Sequence, residues 1–288
     1  MRVLVLGGAG MLGHRVYSYF KKSHTTGVTL RKNPDHYLSW GLFEPDDIVA
    51  NVDVRDFKQV EAAMAAYRPD AVINCVGITN KGAAATDNVI NIEVNALFPH
   101  YLAQHCRDLR IQMVHLSTDC VFSGNKGYYR EEDSADADDL YGRTKFLGEV
   151  DNAFCLTIRT SMIGLGLDNK KGLIEWFLSQ DERIRGYQNA IFSGFTTLEI
   201  ARIIEKILLS GKTVSGPLHV SGEPISKYDL LSRLKAILGL SIDIIPDTDF
   251  KCDRSLDSTR FQDAFDYNPP TWGKMLSELG EQIKRERL

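Results

Sequence analysis

Short apolar runs alternate with longer amphipathic stretches as far as Arg159. Runs at 3–6, 28–31, 49–54, 71–76, 113–117 and 155–159 read as strands. Between them, 10–22 carries Leu12, Val16, Tyr19 and Phe20 at helical spacing. Phe57–Tyr67 places Val60, Ala63, Met64 and Tyr67 on one helical face, and Pro69 ends it. Helices are also expected within 88–108 and over 141–152. Strands alternating with helices in this way favour a parallel sheet covered on both faces.

After Arg159 the rhythm changes. Residues 164–172 are rich in glycine and lysine and read as a loop. A helix is expected at 197–209 and a short strand at 218–221, after Pro217. A second helix is expected at 226–238, capped by Ser226. Pro246, Pro269 and Pro270 then fall among what read as short elements of a smaller, irregular lobe. The long connection 33–47, with Trp40 and Phe43, reads as an ordered loop. No internal repeat is evident.

The first strand runs directly into Gly7-Gly8-Ala9-Gly10-Met11-Leu12-Gly13. Two registers fit: Gly8-x-Gly10-x-x-Gly13 and Gly7-x-x-Gly10-x-x-Gly13. Either gives a tight turn, close backbone approach to a pyrophosphate, and close helix–strand packing. The helix that follows offers free N–H groups and partial positive charge to the anion. A glycine loop between a first strand and a first helix indicates a Rossmann-type dinucleotide site. The second strand ends in Arg31-Lys32, where an acidic residue would bind a ribose 2′-hydroxyl. An arginine there suits a 2′-phosphate, so NADP(H) is favoured over NAD(H).

Further chemistry lies at the end of the strand at 113–117. Thr118 sits where open α/β sheets place ligands, and Tyr141 and Lys145 lie one helical turn apart. A free phenol has a pKa near 10, and a neighbouring ammonium lowers it toward the working range. Tyr141 can then give a proton to a carbonyl oxygen while Thr118 hydrogen-bonds the same oxygen.

These residues resemble the extended short-chain dehydrogenase/reductases. Leu116-Ser117-Thr118-Asp119-Cys120-Val121-Phe122-Ser123-Gly124 and Tyr141-Gly142-Arg143-Thr144-Lys145-x-x-Gly148-Glu149 are similar to dTDP-4-dehydrorhamnose reductases. So are Val94-Asn95-Ala96, Arg159-Thr160-Ser161 and Arg254-Ser255-Leu256-Asp257. The resemblance implies a catalytic set of Thr118, Tyr141 and Lys145. It implies a cofactor site of Gly7, Gly10, Met11, Leu12, Gly13, Arg31, Asp53, Val54, Val76, Gly77 and Asn95. Asn95 would support the lysine through water. Met162, Gln188 and Arg254 would meet a nucleotide-sugar, Arg254 through its diphosphate. The implied activity is NADPH-dependent reduction of a 4-keto nucleotide-deoxysugar for surface polysaccharide synthesis.

The expected fold is therefore α/β, a Rossmann-type doubly wound parallel sheet with a small C-terminal substrate-binding lobe. Its cofactor domain would span 1–163, with 195–221 returning to it. Residues 164–194 and 222–288 would form the lobe.

The chain departs from the reductases at Cys120, where they carry Tyr, and at Met162, where they carry Trp. Cys120 instead matches the spacing of an acid/base cysteine in GDP-fucose synthases. That opens an alternative, a bifunctional epimerase/reductase, although Lys170 and Lys171 are the only basic groups of 164–177 and it holds no His. A relative that regulates methionine adenosyltransferase opens a third, a non-catalytic NADP-binding subunit.

Composition narrows the remaining classes. With 43% hydrophobic residues among 288, a disordered chain is excluded. A net charge of −4 argues against a general nucleic-acid binder. No apolar run reaches a membrane span, and the N-terminus lacks a signal-peptide pattern, so a cytoplasmic location is expected. Five cysteines without a C-x-x-C pair indicate reduced thiols. The acidic run from Glu131 to Asp139 reads as a solvated loop, and no metal site is expected. The expected partners are a nucleotide-sugar and, as one option, a second copy of the chain.

Overall fold

The computed structural model describes residues 1–38, 40–80, 82–167, 172–214 and 216–287. They form two compact units. Unit 1 comprises Met1–Ser117, Asp138–Ile158 and Ala201–Pro217. Unit 2 comprises Thr118–Ala137, Arg159–Ile200 and Leu218–Leu288. The stretch 118–137, expected in the cofactor domain, clusters with unit 2. The reason is local: Tyr129 N donates to Ser255 O and Asp257 N donates to Tyr129 O. Phe122, Tyr129, Val121 and Leu256 share a small apolar core there.

Unit 1 holds β1 (Arg2–Leu6), β2 (Thr25–Thr29), β3 (Ile48–Val49), β4 (Ala71–Asn74), and most of β5 (Gln112–Thr118) and β6 (Cys155–Thr160). Their order is β6-β5-β4-β1-β2-β3. The β1–β2, β1–β4, β2–β3 and β4–β5 pairs are parallel. The strand order reverses beside β1, so its C-terminal end, with the glycine loop, lies at the topological switch point. Around the sheet run α1 (Gly13–Phe20), α2 (Asp35–Leu38), α3 (Phe57–Tyr67), α4 (Asn88–Asn91), α5 (Phe98–Leu109) and α6 (Leu140–Leu147).

The core explains the layering. Leu4, Leu6, Val72 and Met113 on the strands pack with Val60 and Met64 of α3 and Phe98 and Leu102 of α5. Each such side chain contributes roughly 1.5–3 kcal/mol on burial. Asp56 caps α3 by accepting from Lys58 N. Arg68 closes it in the left-handed region at φ 53°, and Pro69 bars continuation.

Several expected boundaries move. The third strand is only Ile48–Val49, because Asn51 just beyond it takes a left-handed φ of 57°. The first helix begins at Gly13, since the glycines before it form the loop. The helix at 141–152 stops at Leu147. The long helix of 88–108 is interrupted by a π-helical segment, Ile92–Leu97. Within 33–47 lie α2 and a cluster of Tyr37, Trp40 and Phe43 rings.

Unit 2 holds β7 (Met162–Ile163), α7 (Leu173–Leu178), β8 (Arg183–Phe192), β9 (Phe195–Thr196), the first turn of α8 (Thr197–Ser210) and β10 (Leu218–His219). It continues with β11 (Ile225–Ser226), α9 (Lys227–Leu238), β12 (Asp243–Asp253), α10 (Thr259–Phe265) and α11 (Trp272–Arg287). A three-stranded sheet runs β11-β8-β12. Ser226 caps α9 as expected, accepting from Asp229 N at 2.9 Å. The C-terminal elements are longer than the prolines suggested. Pro246 is accommodated within β12 because that strand is an edge, with Gly186 of β8 opposite. Pro269 and Pro270 precede α11, and Trp272, Met275, Leu276, Leu279 and Ile283 bury one face of that helix. Among the described residues no helix is long and apolar enough to cross a membrane.

Candidate active site

The glycine loop has a fixed job for each residue. Gly7 has φ +82°, a conformation that a side chain would strain. Gly10 N donates to Gly7 O at 3.0 Å and closes the turn. A Cβ on Gly13 would stand 2.2 Å from Gly7 O, so only glycine lets α1 start this close to the strand. A Cβ on Gly8 would stand 1.9 Å from Val28 Cγ2, so both registers keep glycines that the packing requires. The residue before α1, Leu12, supplies no side-chain cap. The first turn therefore keeps backbone donors for an anion, and the loop fits a dinucleotide pyrophosphate.

Two asparagines pin the chain beyond β4. Asn74 Oδ1 accepts from Val76 N at 3.1 Å, so its Nδ2 donates to His115 Nδ1 at 3.0 Å. That places the ring proton on Nε2, which is buried without a hydrogen-bond partner among the described residues. Burial, helped by Lys145, holds His115 neutral with its pKa well below the usual histidine range. Asn95 sits in the π-helical segment, where an extra residue per turn re-aims its side chain. Its Oδ1 accepts from Ile78 N at 2.8 Å, and its Nδ2 donates to Ile78 O at 2.9 Å. A further bond of 3.3 Å joins Asn95 to Thr144 of α6. Val76 and Gly77 lie between these two anchors.

Arg31 is exposed just past β2. Asp53 accepts from the Arg55 guanidinium, and this pairing holds its carboxyl below the usual range. Val54 packs against the core of unit 1.

Lys145 is buried, and its Nζ donates to Leu116 O at 2.6 Å. Burial pulls its pKa down to about 8, against an upward pull from Glu149. Tyr141, one turn earlier on α6, is half-buried. Asp139 caps this helix through Gly142 N at 2.9 Å. A Cβ on Gly148 would meet Asn95 O at 1.9 Å, so α6 ends pressed on the π-helical segment.

In unit 2, Thr118 Oγ1 accepts from Cys120 N at 3.1 Å and donates to Asp119 Oδ1 at 3.2 Å. Asp119 is buried, and burial raises its pKa against the nearby Arg254 charge. Arg254 Nε donates to Phe122 O at 2.8 Å, and its Nη1 lies 3.5 Å from Cys120 Sγ. Burial, reinforced by Asp119, pushes the Cys120 thiol up to about 12. A group held as a thiol at neutral pH is a poor base, which weakens the epimerase alternative. Met162 is half-buried on β7 opposite Phe195, and Gln188 is exposed on β8. Lys170 and Lys171 lie outside the described residues.

Residues 1–239 match the family described as RmlD substrate binding domain. The chain belongs to this family. It is 36% identical over 254 residues to a probable low-salt glycan biosynthesis reductase of Haloferax volcanii, covering 83% of this chain and 81% of that one. It is 31% identical over 149 residues to a dTDP-4-dehydrorhamnose reductase of Streptomyces griseus, covering 51% of this chain but only 43% of that relative. The chain thus spans under half the length of that curated relative. A solved dTDP-4-dehydrorhamnose reductase of Bacillus anthracis, in complex with NADP, shares the fold. The TM-score is 0.75 at 20% identity, covering 98% of this chain and 99% of that one.

Within this RmlD-family chain, unit 1 brings together the glycine loop, the anchored 74–78 stretch, Tyr141 and Lys145. Unit 2 brings together Thr118, Asp119, Cys120 and Arg254, while Met162 and Gln188 lie on its strands. Spacing alone gives Asp119 and Glu149 no role, and His115 reads as a structural or surface group. Asp119 and Glu149 were visible inside the family motifs, but only burial and contacts show what each carboxylate touches. The acidic run, exposed at Glu132, Asp136 and Asp138, nevertheless carries ordered partners. Glu131 accepts from His219 N, Asp133 pairs with Lys126, and Asp136 accepts from Ser123.

Proposed function

We propose that the chain is an NADPH-dependent reductase of the 4-keto group of a nucleotide-linked deoxysugar, serving polysaccharide precursor synthesis. The observation that carries this reading is Lys145, buried and aimed at Leu116 O, one turn from Tyr141 in a chain of the RmlD family. The name of the Streptomyces relative supports the substrate class, and that of the Haloferax relative supports a role in glycan synthesis.

In this reading the loop from Gly7 to Gly13 and the first turn of α1 hold the pyrophosphate. Arg31 meets the 2′-phosphate, Asp53 and Val54 border the adenine, and Val76 and Gly77 line the cleft. When bound, the reduced nicotinamide supplies the hydride that reaches the carbonyl carbon. Tyr141 gives its phenolic proton to the carbonyl oxygen, so the ketone becomes a secondary alcohol. The Lys145 ammonium favours the phenolate left behind. Thr118 turns its hydroxyl proton from Asp119 to the same oxygen and holds it in place. Met162 and Gln188 border the sugar, and Arg254 meets the diphosphate.

The cytoplasm is the proposed compartment, where five free thiols suit a reducing environment. A homodimer is the proposed assembly, supported by exposed Val89, Ile92, Tyr101 and Leu147 on unit 1. NADPH oxidation followed against a panel of 4-keto nucleotide-deoxysugars tests the function. Turnover of at least one of them is expected, and no turnover of any would overturn the reading.

A further inference from the structure

Glu149 follows α6 at a point where its neighbours leave it little freedom. Gly148 is pressed on Asn95 O, Glu149 N donates to Phe146 O at 3.1 Å, and Val150 is buried. The half-buried carboxylate reaches back to β5 and accepts from Ser117 Oγ at 2.7 Å. Ser117 adjoins Leu116, whose carbonyl holds Lys145 Nζ. Adjacent residues of β5 therefore hold Lys145 and Glu149, four residues apart in sequence.

We propose that Glu149 is a positioning residue, clamped by Ser117 so that its negative charge keeps the buried Lys145 ammonium protonated while catalysis proceeds. The proposal rests on the reductase reading only for its catalytic consequence.

The groups around Lys145 leave this task to Glu149. From β5, His115 is neutral. Just past β4, Cys75 is half-buried, and desolvation pushes its thiol up to about 12. On α6, Tyr141 brings a phenol rather than a carboxylate. Leu116 O offers a dipole but no full charge. Burial opposes the ammonium and Glu149 opposes burial, consistent with the balance near 8.

Glu149→Gln separates charge from shape, because the amide oxygen still accepts from Ser117. The first readout is the titration of Lys145, followed by NMR of ε-15N-lysine in the full chain without substrate. Its midpoint is expected to fall by about one unit or more. The second readout is the alkaline limb of kcat/KM for NADPH-dependent reduction, expected to move down by the same amount. Activity near pH 6 should stay close to wild type, whereas a merely structural role would lower activity equally at every pH. A Lys145 midpoint that does not move overturns the proposal. A midpoint that moves while the alkaline limb stays put supports the electrostatic role and instead removes Lys145 from the reductase mechanism. If Glu149→Gln fails to fold, Ser117→Ala removes this hydrogen bond and should lower the midpoint, and Glu149→Asp should largely retain it. Neither variant differing from the other would also overturn the proposal.

Discussion

Lys145 Nζ donates to the carbonyl oxygen of Leu116 at 2.6 Å, joining α6 to the end of β5 across 29 residues of sequence. This bond fixes an ammonium one turn from Tyr141 and two residues before Thr118 on the strand. Replacing Lys145 with Met removes both the charge and the donor. We expect kcat to fall by about 100-fold or more. Cofactor titration by fluorescence should show that binding survives better than turnover.

Gly13→Ala puts a methyl group 2.2 Å from Gly7 O, a backbone atom that cannot swing away. Thermal unfolding should show a loss of about 1–3 kcal/mol. Calorimetry should show cofactor binding weakened by about 10-fold or more, as the pyrophosphate cradle opens.

Arg31 decides the cofactor in this account. A charge-assisted hydrogen bond contributes about 1.5–3 kcal/mol, so Arg31→Ala should lower the NADPH:NADH ratio of kcat/KM by about 10-fold or more. An unchanged ratio would remove Arg31 from the 2′-phosphate site.

His219 gives the chain an acid-sensitive core. It is buried, and burial with the Arg159 charge lowers its pKa to about 4. The unfolded histidine titrates near 6.5. Between these values the unfolded chain binds one more proton than the folded one, so stability rises with pH across that window. The contribution is present above about 6.5 and is lost as pH falls toward 4, at roughly 1.4 kcal/mol per unit. Urea unfolding between pH 4.5 and 7.5 should show this slope, and His219→Gln should reduce it, leaving the share of the buried His115.

Cys120→Ser should change kcat less than about 3-fold, because a thiol titrating near 12 is not ionised at neutral pH. Turnover in deuterated water should leave no deuterium on carbon beside the ketone. Incorporation lost in Cys120→Ser would restore the epimerase reading.

The strands and helices of unit 1 were legible because their periodicity is strong. Phe57–Tyr67 has its cap, apolar face and terminating Pro69 all in sequence order. The glycine loop and the Tyr141–Lys145 pair were legible because each depends on local spacing. β8 was not, since Gly186 and polar residues dilute the alternation of Ile184, Ala190 and Phe192. The π-helical segment was hidden as well. Val94 and Ala96 carry no mark of the extra residue that turns Asn95 toward Ile78. Glu149 stood in plain view, but its bond to Ser117 is a tertiary contact that spacing does not encode.

The central claim is that Tyr141 gives the proton that accompanies reduction of a 4-keto nucleotide-sugar. Tyr141→Phe keeps the ring and removes only the hydroxyl. Steady-state NADPH oxidation with the best substrate, paired with NADPH binding by fluorescence, tests it most directly. The account predicts turnover lowered by about 100-fold or more with binding within about 3-fold of wild type. A variant that turns over at the wild-type rate would contradict it.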